Sequence, residues 1–191
     1  MRKLLIAAAA LSLAVPAAAA LKPGQLAPDF TAPGAMAGKP FTVNLKAALK
    51  KGPVVLYFFP AAFTEGCNAE AHAFAEALPD FQKVGASVIG MTAGNIDKLE
   101  AFSAEKCAGK FAVAAASPEI VKAYDVQLTR PDGTATKITS RTSYVIAPDG
   151  RKLGLIAPGK AAANCCFGED GRTLFVTSSD MVAKVRLKVA G

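Results

Sequence analysis

Apolar positions along this chain come in two rhythms, short unbroken runs and helical stripes, and the two alternate. Pro53-Val-Val-Leu-Tyr-Phe-Phe-Pro60 is apolar at every position between its two prolines, as a strand buried on both faces of a sheet requires. Thr64–Val84 follows with Phe74, Leu78 and Phe81 at helical spacing. That predicts a helix, which Pro79 should kink or break near Leu78. Ser87–Thr92 and Phe111–Ala115 read as further short buried strands, and Ile96–Cys107 between them as a helix with Ile96, Leu99 and Phe102 on one stripe. Ser117-Pro118-Glu119 opens another helix: serine caps, proline suits the first helical position, and glutamate favours the positive end of the dipole. Ser143–Ala147 reads as a fourth strand, turned at Pro148-Asp149-Gly150. Leu21–Pro40, rich in Pro, Gly and Ala, reads as an extended segment with turns.

Strands that alternate with helices predict an α/β fold of three layers with a central sheet. In such sheets functional groups collect just beyond the C-terminal ends of strands. Cys67 stands there, where the Val54–Phe59 strand gives way to a helix. Unpaired N–H groups and the helix dipole favour an anion in the first turn, and so favour a thiolate. Thr64, three residues earlier, is placed to cap the helix or to present its hydroxyl beside the sulfur. A buried apolar filler is the common fate of a free cysteine, but a filler needs no strand end, cap and helix start together.

Composition narrows the chemistry. The 191 residues hold one histidine, His72, which rules out a multi-histidine metal site and leaves a protease triad only one candidate base. His72 lies five residues after Cys67, about 140° around a helix, and is not a convincing base for it. None of the four cysteines (Cys67, Cys107, Cys165, Cys166) forms a C-x-x-C pair, against a zinc ribbon or an ordinary dithiol oxidoreductase. There is no phosphate loop and no dinucleotide fingerprint, so no cofactor is implied. Arg2-Lys3, the apolar stretch Leu4–Val15, Pro16 and Ala18-Ala19-Ala20 have the tripartite form of a secretory signal peptide, residues 1–20, cut after Ala20. The expected location is therefore periplasmic or secreted, with no membrane anchor, in a compartment that permits disulfides. The net charge of +7 falls by two on cleavage, and the remaining basic residues are scattered, which does not support nucleic-acid binding.

Pro60-x-x-x-Thr64-x-x-Cys67 resembles the peroxidatic signature of peroxiredoxins, and Phe63-Thr64-x-Gly66-Cys67 that of the bacterioferritin-comigratory type. Leu26-Ala-Pro-Asp-Phe30 resembles the family's opening motif and Val88–Thr92 its next strand. Arg141-Thr-Ser-Tyr-Val-Ile146 with Pro148-Asp149-Gly150 resembles its arginine-bearing strand and turn, so the resemblance covers about residues 23–156. It implies a thioredoxin-like fold with a mixed central sheet and flanking helices, and a peroxidase that reduces hydrogen peroxide and organic hydroperoxides. By the same resemblance Cys67 attacks, Thr64 holds the peroxide, Pro60 shields the site, and Arg141 holds the thiolate and polarises the peroxide. Glu65 departs from the proline often found there and is expected to face solvent. Some relatives carry a resolving cysteine at C-x-x-x-x-C, where this chain has His72. Cys107 resembles the resolving cysteine of another subset, with a structural role as the alternative and Cys165 and Cys166 as weaker rivals. The implied reductant is thioredoxin-like or a small thiol.

The domain so read is 21–158, and residues 159–191 form an unusual tail. Family members usually end in a strand and a long amphipathic helix. Here Arg151–Ala157 suits the strand, but Ala163–Thr177 reads as turn and strand and Val182–Val189 alternates like another strand. The tail resembles the C-terminal end of gluconolactonase and regucalcin-type propellers, a blade fragment from which no lactone-hydrolysing or metal-binding residue carries over. It is expected to form strands or to be poorly ordered. A thiol peroxidase is the first reading; a catalytically impaired thioredoxin-like binding or scaffold protein is the alternative. The expected state is a monomer or weak homodimer.

Overall fold

The computed structural model describes residues 21–156 and, beyond them, the backbone of strands within 162–186. In chain order the elements are β1 (Thr31–Met36), β2 (Lys39–Asn44), α1 (Leu45–Leu49), β3 (Val54–Phe58), α2 (Glu65–Lys83), β4 (Ser87–Thr92), α3 (Leu99–Glu105), β5 (Ala112–Ala115), α4 (Pro118–Ala123), β6 (Gln127–Thr129), β7 (Ala135–Thr139), β8 (Thr142–Ile146) and β9 (Lys152–Ile156). Seven strands form one sheet in the order β2-β1-β5-β4-β3-β8-β9, with β3, β4 and β5 parallel and the rest antiparallel.

All five residues of β3 are buried, because the strand lies between β4 and β8 with a core on each face. Its alternate side chains divide the core in two. Val54, Leu56 and Phe58 pack with Leu45 and Leu49 of α1 and Ile120 and Val121 of α4. Val55, Tyr57 and Phe59 pack with Ala71, Ala75 and Leu78 of α2 and Leu99 and Phe102 of α3. The three layers read from the sequence are present.

Several boundaries differ from expectation, each for a local reason. The segment 21–40 contains β1 and the turn of a hairpin, β1–β2, at Ala37 (φ 52°) and Gly38 (φ 76°). Its outer strand β2 lies at the sheet edge and is largely exposed, so it lacks the apolar run that reveals an inner strand. Helix α2 runs unbroken through Pro79. Proline offers no N–H to the Ala75 carbonyl four residues back, and Lys110 Nζ donates to that oxygen instead, at 2.9 Å. The expected helix Ile96–Cys107 divides into a 3-10 turn, Ile96–Lys98, and α3; Ile96 is 51% exposed and Cys107 lies past the helix end. The hairpin β6–β7, around Arg130-Pro-Asp-Gly-Thr134, was not anticipated from the apolar pattern. Ser117 does cap α4, accepting from the Ile120 N–H at 3.4 Å. Gly150, at φ 84°, closes the turn into β9.

In the tail, β10 (Ala162–Phe167), β11 (Thr173–Ser178) and β12 (Met181–Arg186) form an antiparallel three-stranded sheet. The expected signal peptide, residues 1–20, lies outside the described residues, as do the side chains of Cys165 and Cys166.

Candidate active site

At the end of β3 the chain leaves the sheet and is pinned by β4, by β7 and by the loop after β4 before it enters α2. Thr139 Oγ1 donates to the Phe59 carbonyl at 2.6 Å and Thr92 Oγ1 to the Pro60 carbonyl at 3.0 Å. Asn95 Nδ2 donates to the Ala62 carbonyl at 2.8 Å. Gly94 sits against this loop so closely that an added Cβ would come within 2.4 Å of the Pro60 carbonyl oxygen. Phe63 is held at φ 62°, a left-handed conformation that bulky residues seldom adopt. Its ring packs edge-on against Phe102 of α3 (5.5 Å), with Lys106 Nζ 5.6 Å from its centroid.

Thr64 occupies the N-cap position of α2 but its side chain makes no cap bond; the hydroxyl donates to the Ala61 carbonyl at 3.1 Å. Of the two uses foreseen for Thr64, the capping one is therefore corrected: its hydroxyl is spent on closing the loop. Cys67 is the third residue of α2, in the first turn, and only 2% exposed. Glu65 faces solvent, as expected. The side chain of His72 is 67% exposed, beside Glu76, turned out while Cys67 points in.

Arg141 immediately precedes β8, the strand that pairs with β3. Thr142 pairs with Phe58 in the β3–β8 register, which sets Arg141 where β3 runs into the Cys67 loop. Its guanidinium serves two partners at once: Nη2 donates to Cys67 Sγ at 3.6 Å, and Nη1 forms an ion pair with Glu70 Oε2. A planar fork with several donors is suited to such bridging. Nη2 also lies over Gly66, where a Cβ would stand at an ordinary contact distance of 3.4 Å.

Glu70 was not singled out in the sequence. Its spacing of three from Cys67 puts both on one helix face, and that was the available signal. Burial pushes the Glu70 carboxyl up, to about 7, against the opposing pull of Arg141. A carboxyl raised in the folded state from 4.5 to about 7 contributes stability that is present below pH 4.5 and is lost as pH rises through 7. Wild-type protein should therefore lose about 1–3 kcal/mol relative to Glu70→Gln between pH 5 and pH 8. Denaturant melts of both proteins at the two pH values measure this, and parallel profiles would refute it.

Cys107 is fully buried in the same side-chain cluster as Cys67, between the sheet and helices α2 and α3, and both are free thiols. Burial pushes the Cys107 thiol up to about 12, so it is inert where it stands. The Tyr57 hydroxyl is buried in this cluster without a hydrogen-bond partner. Among the described residues no group of three or more His, Cys, Asp or Glu is placed to hold a metal ion. A cleft of about 320 Å³, lined by Met36, Phe41, Leu78, Lys110 and Phe111 among others, opens at the starts of β4 and β5. That is the opposite end of the parallel strands from Cys67, and no thiol lines it.

Residues 23–151 match the AhpC/TSA family. A Mycobacterium tuberculosis protein named as a peroxiredoxin is 30% identical over 139 residues, which cover 72% of this chain and 86% of that one. The crystal structure of peroxidoxin BcpB from M. tuberculosis superposes with a TM-score of 0.63 at 29% identity, covering 74% of this chain and 88% of that one. A gluconolactonase of Zymomonas mobilis is 54% identical over 50 residues, a quarter of this chain but only 14% of that enzyme.

Proposed function

The chain belongs to the AhpC/TSA family of thiol-dependent peroxidases, with a thioredoxin-like fold, and from that premise we propose that Cys67 is its peroxide-reducing residue. The observation that supports this most directly is the 3.6 Å contact from Arg141 Nη2 to Cys67 Sγ at the junction of β3 and α2. The Cys67 thiolate attacks one peroxide oxygen in line. An S–O bond forms and the O–O bond breaks, giving a sulfenic acid on Cys67 and an alkoxide or hydroxide that takes up a proton and leaves as alcohol or water. Arg141 holds the attacking sulfur and stabilises the charge that develops on the oxygens. Glu70 acts through Arg141 as a positioning residue. Pro60 and Thr64 shape the loop over the sulfur, with Thr64 exposed at the peroxide's approach.

In this reading Cys107 resolves the sulfenic acid. Its thiolate attacks the Cys67 sulfur, a disulfide forms, and the hydroxyl leaves as water. A thioredoxin-like or small-thiol reductant then restores both thiols. Cys107→Ser is expected to allow one turnover and then to leave Cys67 as sulfenic acid, passing to sulfinic acid at higher peroxide. Peptide mapping by mass spectrometry after one equivalent of hydrogen peroxide tests this. A disulfide from Cys67 to Cys165, to Cys166 or between chains would transfer resolution away from Cys107. An unoxidised Cys67 would favour a silent scaffold. The tripartite N-terminus supports export of the protein; processing that leaves Ala20 attached to the secreted chain would contradict the expected cleavage site.

A further inference from the structure

Resolution by Cys107 requires its Cα to come within about 7 Å of that of Cys67 with the sulfur uncovered. The structure keeps it covered. Cys107 stands at the end of α3, where its N–H donates to the Phe102 carbonyl at 3.2 Å. Two left-handed residues follow, Ala108 at φ 50° and Gly109 at φ 67°. The Gly109 N–H donates to the Ser103 carbonyl and the Lys110 N–H to the Cys107 carbonyl, closing a compact turn. Ala108 carries a Cβ in a conformation better suited to glycine, so the turn holds strain that opening would relieve.

One side chain ties this turn to the helix that bears Cys67. Lys110 Nζ donates to the Ala75 carbonyl at 2.9 Å, and Ala75 is fully buried in α2. That oxygen lacks its helical partner because residue 79 is proline. The two features complete each other: Pro79 leaves a backbone acceptor free in mid-helix, and the residue three beyond Cys107 supplies the missing donor.

Resting on the reading of Cys107 as the resolving thiol, we propose that Lys110 is a positioning residue for the resolving step. Its ammonium latches the Cys107 turn to α2 through the carbonyl that Pro79 frees, and release of this latch sets how fast Cys107 reaches Cys67. A hydrogen bond from a charged donor that is itself largely exposed holds such a turn by about a factor of ten. The latch keeps the thiol covered and opens without unfolding the sheet, since helix ends and turns open at low cost.

The test uses the full chain with peptide-resolved mass spectrometry. Iodoacetamide labelling of Cys107 in the reduced protein should be about tenfold faster in Lys110→Met and unchanged in Lys110→Arg, whose guanidinium donates to the same carbonyl. Pro79→Ala returns an N–H to the helix and competes with Lys110, so it should also speed labelling with no loss of melting temperature. A general loosening of the fold would not give that combination. After one equivalent of hydrogen peroxide, the Cys67–Cys107 disulfide should form faster by the same factor in Lys110→Met, at an unchanged rate of sulfenic acid formation. Unchanged labelling in Lys110→Met, or in Pro79→Ala, would overturn the latch even if the disulfide forms normally. Absence of the disulfide in the wild type would instead overturn the reading of Cys107, and the control of resolution with it.

Discussion

Cys67→Ser is expected to reduce peroxide turnover to that of the protein-free reaction while leaving the fold and its melting temperature nearly unchanged. Serine is close to cysteine in volume, so the cluster of Ala71, Phe59 and Phe102 around position 67 keeps its packing. Its hydroxyl can still accept from Arg141, so the Arg141–Glu70 ion pair persists. What is lost is the nucleophile. A serine hydroxyl has no accessible alkoxide at neutral pH, and no base stands by to generate one. His72 faces solvent, and Glu70 is engaged with Arg141. Stopped-flow peroxide consumption with a thiol reductant, beside a thermal melt, gives both readouts. Retained turnover in the serine variant would reject the central assignment.

Arg141→Ala is expected to slow sulfenic acid formation on Cys67 by about ten- to a hundredfold, the loss of one charge-assisted hydrogen bond at the reacting sulfur. The geometry adds a second effect. The same guanidinium is the counter-charge of Glu70, so truncation leaves a mostly buried carboxylate alone. Arg141 opposes the rise that burial imposes on Glu70, and without it the carboxyl rises further and stays protonated to higher pH. The stability loss should therefore be small at pH 5, where Glu70 is neutral in both proteins. At pH 8, where the wild type holds an ion pair, it should reach about 1–3 kcal/mol. Arg141→Lys should recover part of the rate, since a point charge can serve the sulfur or the carboxylate but not fork to both. A second-order rate constant at Cys67 unchanged by Arg141→Ala would show that the guanidinium does not assist the chemistry. A stability loss equal at both pH values would sever it from Glu70.

Those two residues differ in how legible they were. Cys67 could be placed at a strand end and helix start from the run Val54–Phe59 and the stripe that follows, and the structure puts it there. Arg141 rested on resemblance alone, because nothing in its neighbourhood of 74 residues' separation announces a partner. Glu70 stands one helical turn from the nucleophile and carries little signal in the sequence, since an acidic residue on a helix ordinarily faces water. Only the ion pair with Arg141 turns it inward.

Elements with a local signal were legible in the residues themselves. Unbroken apolar runs specified the buried strands β3, β4 and β5, and Ser117-Pro118 specified the start of α4. The order of strands and helices specified the three layers. Features that depend on contacts between distant segments emerge only in the folded chain. The hairpin β1–β2 has a weak apolar pattern because more than half of its strand residues are exposed, yet it is held by pairing with β5. Pro79 forbids a hydrogen bond to Ala75 in any isolated helix, yet α2 runs on past it, and Lys110 arrives from beyond α3 to donate to the carbonyl left over. The Cys67 loop is fixed by Thr92, Asn95 and Thr139, which stand 25 or more residues away in the sequence. A local pattern reports which face of an element is apolar. Which donor meets which acceptor is settled by packing, where a buried polar group costs free energy until some segment, however remote, satisfies it.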